Sequence, residues 1–80
     1  MRKVVINQCY GGATLSDKAV NLLGWTENYT GWDREDPEIV KVVEILGVEA
    51  SGYGADLTVE EVSGPYRIRD YDGMETIIRL

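Results

Sequence analysis

An α+β fold is predicted for this chain of 80 residues, and three observations predict it. One β-like run opens the chain, two helical segments follow, and the remaining β-like runs gather at the end. The order strand, helix, helix, strand, strand, strand implies a single domain, residues 1–80. Its expected core is a small, mostly antiparallel four-stranded sheet with both helices on one face. Composition fits one thin core, because a chain this short buries only roughly 60% of its unfolded surface.

Lys3-Val4-Val5-Ile6-Asn7 reads as the first strand, and Cys9-Tyr10-Gly11-Gly12-Ala13-Thr14-Leu15 as a glycine-bearing loop. Ser16 is placed to cap the first helix, with Leu15 and Val20 forming a hydrophobic staple across it and Gly24 ending it. Residues 25 to 35 lack periodicity and mix turn formers with Trp25, Tyr29 and Trp32, which marks a loop. The second helix has the fullest set of local signals. Asp36 is its cap, Pro37 takes the first helical position, Glu38 lies in the positive first turn, and Gly47 stands past the end. Ile39, Val42, Val43 and Leu46 form its apolar stripe.

Residues 57 to 62 are rich in β-branched side chains and favour a strand, although Thr58 and Glu61 also satisfy the spacing of a capping box and leave a short helix open. Tyr66 to Tyr71 alternates as a strand, Asp72-Gly73 signals a two-residue hairpin turn, and Met74 to Arg79 returns antiparallel. Alternation sets Arg67 and Arg69 on one side of their strand, with Tyr66, Ile68 and Asp70 on the other.

Fourteen acidic side chains oppose eight basic ones, and the net charge of −6 disfavours nonspecific binding to nucleic acid. One cysteine excludes an internal disulfide and, with no histidine, argues against a zinc site; no cofactor or metal is expected. Self-association is then the expected supplement to a thin core. The opening residues do not resemble a signal peptide, and no run approaches the roughly 20 apolar residues of a membrane span, so a cytoplasmic protein without membrane partners is expected.

The candidate ligand site gathers Tyr10, Gly11, Gly12, Thr14, Ser16, Trp32, Arg67 and Arg69. A strand passing through paired glycines into a helix start aims unpaired N–H groups one way and suits an anion such as phosphate. Thr14 and Ser16 would add hydroxyl donors, the two arginines would neutralise charge, and Tyr10 or Trp32 would stack on a base. The plainer reading of the glycines is a tight turn, and that of the arginines is cross-strand pairing with Glu75 or another carboxylate. The glycine segment is too short for a P-loop and lacks its lysine. Cys9, Asp72 and Glu75 are the groups an enzyme would need, but no histidine is present to activate the thiol, and no catalytic residue is assigned. The acidic stretch Asp33, Glu35, Asp36 and Glu38 would suit a protein partner or simply a solvated helix start.

The opening Lys3-Val4-Val5-Ile6-Asn7, with Cys9-Tyr10-Gly11-Gly12 and Leu15-Ser16, resembles a family of small bacteriophage and prophage proteins of unassigned function. The resemblance extends to Glu44-Ile45-Leu46-Gly47, to Ala50-Ser51-Gly52 and to Tyr71-Asp72-Gly73-Met74-Glu75; the family usually has an aromatic residue and a glycine where this chain has Ala13 and Thr14. It implies a phage context. By analogy with phage counter-defence proteins, the expected function is noncatalytic: a homo-oligomer that sequesters a nucleotide-derived immune signal of the cyclic oligonucleotide or cyclic ADP-ribose type. The alternatives are an inhibitor that grips a host defence protein through residues 25 to 38, and a small nucleotide-processing enzyme.

Overall fold

The computed structural model describes all 80 residues. Strand β1 (Arg2–Asn7) leads through the glycine loop to helix α1 (Asp17–Leu23) and then to helix α2 (Pro37–Leu46). A 3₁₀ turn (Gly47–Ala50) precedes strands β2 (Leu57–Val62), β3 (Tyr66–Tyr71) and β4 (Met74–Arg79). Residues 57 to 62 are therefore a strand, as their β-branched content favours. Both helices start at the expected caps: the Ser16 side chain accepts from the Ala19 N–H, and the Asp36 side chain accepts from the Glu38 N–H.

The four strands do not form one sheet. β1 pairs antiparallel with β2, β3 pairs antiparallel with β4, and the result is two separate ribbons. The cause lies along the free edge of β1. Two of its outward N–H groups already have partners, Val5 donating to the Arg34 carbonyl at 2.8 Å and Asn7 to the Glu75 carboxylate at 2.9 Å. A loop carbonyl and a side chain thus occupy the positions that a neighbouring strand would fill.

The ribbons stack instead as layers. On one face of the β1–β2 ribbon, Val5 and Leu57 meet Leu15, Ala19, Val20 and the α2 stripe, to which Val40 also contributes. On the other face, Val4, Ile6 and Val62 meet Ile77 of β4, with Tyr66 and Ile68 packed alongside. The first ribbon is therefore covered on both sides. The bare face belongs to the second ribbon, and it carries Arg67 and Arg69.

Asn7 joins these parts. Its side chain is fully buried and donates to the Cys9 and Gly73 carbonyls at 2.8 and 2.7 Å, while its carbonyl oxygen accepts from the Asp56 N–H at 2.8 Å. Every polar atom of that side chain has a protein partner, as burial demands.

Candidate functional site

The β3–β4 hairpin closes through Asp72 and Gly73, both at positive φ, 56° and 93°, as a type I′ turn requires. Its register opposes Arg67 to Ile78, Arg69 to Thr76 and Tyr71 to Met74. These six residues share the outward face, because the alternate set, Tyr66, Ile68, Glu75 and Ile77, turns inward. Tyr10 reaches over from the glycine loop and meets Tyr71 edge to face, ring centroids 6.4 Å apart. Tyr10, Arg69, Tyr71, Met74, Thr76 and Ile78 line a shallow concavity of about 240 Å³.

Arg67 and Arg69 are exposed, and neither forms an ion pair or a side-chain hydrogen bond. Glu75, the carboxylate opposite in sequence terms, is committed elsewhere. It lies on the inward face and holds Arg34 through both oxygens, Nη2 to Oε2 at 2.6 Å. Two unpaired guanidiniums on one face beside two exposed phenol rings make a local cationic, aromatic surface on an otherwise acidic protein.

The glycine loop has a different occupant from the one its sequence suggests. The Gly11 N–H donates to the Asp72 carbonyl at 3.1 Å, so the hairpin turn rests directly on the paired glycines. The approach is close enough that a Cβ at Gly73 would lie 2.3 Å from the Gly12 nitrogen. The hollow at this junction is lined by Gly11, Gly12, Asp70, Asp72 and Gly73. Its two carboxylates oppose phosphate. Ser16 is engaged in the α1 cap and also donates to the Glu49 carbonyl at 2.6 Å, while the Thr14 hydroxyl is enclosed without a partner.

Trp32 is placed apart from the arginine face. It packs against the helix-side core, and the Arg34 guanidinium lies 4.8 Å from its ring centroid. Of the expected site residues, the fold brings together Tyr10, Arg67 and Arg69 and keeps Gly11 and Gly12 nearby under the turn; Thr14, Ser16 and Trp32 serve local packing or capping. Tyr71 is the member that sequence reasoning missed. Its parity with Arg67 and Arg69 was the available signal.

Cys9 is half-buried, and the candidate bases Asp72 and Glu75 are respectively in the hairpin turn and in the Arg34 pair. No helix is long and apolar enough to cross a membrane. Compared with family models, curated proteins and solved structures, the chain shows no significant match. The fold and the exposed hairpin face define it as a small α+β protein with a cationic, aromatic surface, and its function is argued from those residues.

Proposed function

We propose that this is a noncatalytic binding protein that captures a nucleotide-derived anion on the outward face of the β3–β4 hairpin. One observation carries the reading: Arg67 and Arg69 stand exposed on one strand face without acidic partners, beside the Tyr10–Tyr71 ring pair. Phosphate oxygens would take the guanidinium forks, and a base would pack on a phenol ring. The hydrophobic edge from Met74 and Ile78 supplies contact area beneath a flat ring. Because Arg67 and Arg69 are exposed, their attraction for phosphate is screened by salt, and such capture is salt-sensitive.

The resemblance to small phage proteins supplies a context in which sequestering a host nucleotide signal, by a homo-oligomer, is useful. Capture of a defence protein through residues 25 to 38 is supported less well, since Trp25 and Trp32 pack on the core and Arg34 and Asp36 have internal roles. The test is calorimetric titration with cyclic dinucleotides, cyclic trinucleotides and cyclic ADP-ribose isomers. Saturable binding that is lost in Arg67→Ala/Arg69→Ala but kept in Cys9→Ser supports the proposal. Equal binding by wild type and the double variant overturns it, as does an absence of binding across the panel.

A further inference from the structure

Strand β3 carries an open edge, and its hydrogen-bonding row can be read from the turn. In a two-residue β-turn the first carbonyl accepts from the fourth N–H, so Tyr71 and Met74 form a hydrogen-bonded pair, and alternation makes Arg69–Thr76 and Arg67–Ile78 bonded pairs as well. The main-chain groups of Tyr66, Ile68 and Asp70 then point away from β4. None of them has a hydrogen-bond partner in the chain. Along the outer edge of β4 the corresponding main-chain groups of Glu75, Ile77 and Arg79 are unpaired as well, but Glu75 and Ile77 are buried. The far edge of β2 is shortened, because the Leu57 N–H donates to Ser51, and it is flanked by Glu60 and Glu61. The longest edge that is both unpaired and exposed is therefore β3, with half-buried Tyr66 and Ile68 on its inward side.

We infer that β3 pairs antiparallel with β3 of a second copy of this chain, and that the pairing assembles the anion site proposed above, on which this inference rests. Only one register uses all three outward residues on both strands. In it Ile68 faces the partner's Ile68, and Tyr66 faces the partner's Asp70. The apolar layer that Ile68 and Tyr66 already extend to the edge continues across the axis. On the opposite face, Arg67 stands directly across from the partner's Arg69, and the reverse pair completes a group of four guanidiniums. Directly opposed side chains have Cβ atoms about 4.5–5.5 Å apart, close enough for like charges to repel.

That repulsion decides the behaviour. Without an anion the four guanidiniums oppose the pairing that the main chain favours; with a ligand carrying two or more phosphates between them, charge and main chain agree. The ligand class is therefore a di- or oligophosphate, such as a cyclic dinucleotide with its two phosphodiesters, in preference to a nucleoside or a monoanion. Ligand capture and dimer formation are one linked equilibrium. The occupant of the edge is a second copy, because its own Ile68 and Tyr66 extend the half-buried apolar layer that ends here and its own Arg67 and Arg69 double the charge available to one polyanion.

Sedimentation velocity with inorganic pyrophosphate and with a cyclic dinucleotide tests this. The expected result is a dimerisation constant at least about tenfold tighter with either probe at low salt, and a smaller effect of the probe at high salt, where guanidinium repulsion and guanidinium–phosphate attraction are both screened. The Arg67→Ala/Arg69→Ala variant is expected to dimerise more readily than wild type without any anion and to lose its response to one. A second measurement guards against ambiguous folding: in a Cys9→Ser background, Ile68→Cys should form a self-disulfide under mild oxidation when the cyclic dinucleotide is present and not in its absence, whereas Thr76→Cys on the same hairpin should form none in either case. A wild type that binds the dinucleotide as a monomer overturns the pairing and leaves the anion-binding function standing. Cross-linking at position 68 with no probe bound sustains the pairing and overturns the ligand reading. A monomer under all conditions with no cross-link at 68 overturns this inference outright.

Discussion

Arg34 and Glu75 lie 41 residues apart and meet as a two-pronged ion pair between the loop before α2 and the inward face of β4. Trp32 covers the guanidinium from one side, and the Glu75 carboxylate also accepts from the Asn7 N–H, so one carboxylate fastens the hairpin to both the loop and the first strand.

Glu75→Ala should therefore lower stability by about 2–4 kcal/mol, because it strands a partly enclosed guanidinium and a buried amide at once. Urea unfolding measures this. Arg34→Ala in the Glu75→Ala background should cost little more than Glu75→Ala alone, since the pair is already broken; additive losses would show that the two residues act independently.

Asn7 offers a sharper test of polarity. Asn7→Asp keeps the shape but turns a donor facing the Cys9 and Gly73 carbonyls into an acceptor. A loss of roughly 3 kcal/mol or more is expected, visible as a lower denaturation midpoint.

The hairpin turn should respond unequally at its two positions. Gly73→Ala is expected to cost about 2–4 kcal/mol, combining its positive φ with the collision against the Gly12 nitrogen. Asp72→Asn should change stability by less than about 0.5 kcal/mol, since asparagine also favours the left-handed region. Thermal melts of the two variants decide the matter.

Alkaline pH should weaken the fold through two groups. Tyr66 has its pKa raised from 10.0, mainly because its hydroxyl donates to Glu35, and Lys3 has its pKa raised from 10.5, mainly through its bond to Glu44. In both cases the folded state favours the protonated form. Their contributions are intact below about pH 10 and fade as pH rises through the raised values. Measured stability should hold from pH 8 to about 10 and fall above that, and Tyr66→Phe should flatten part of the decline.

The arginine face should separate function from stability. At dilutions where both are monomeric, Arg67→Ala/Arg69→Ala should unfold within about 0.5 kcal/mol of wild type, as two exposed residues without partners, while losing nucleotide binding. Trp32→Ala should show the reverse ordering, with a clear loss of stability because its ring packs on both the core and Arg34.

Local signals made much of this fold legible. Asp36, Pro37 and Gly47 bracket α2, and Asp72-Gly73 fixes the hairpin, because caps and turns are decided by residues adjacent in sequence. The division into two ribbons was not legible. It depends on Arg34, in a stretch without periodicity, and on Glu75, which reads as an ordinary polar residue of an alternating strand. The candidate site divides the same way. Strand parity placed Arg67 and Arg69 together, whereas the contact of Gly73 with Gly11 and Gly12 joins distant segments that no local pattern relates.

The manner in which β1 is sealed also bears on the order of synthesis. Strand β1 is synthesised before its neighbour, residues 57 to 62, and its last outward amide waits for Glu75. Most of the chain must therefore emerge before its opening segment has all its partners. Folding of these elements during translation has little to build on, and truncation before residue 75 should release β1 as well as β4.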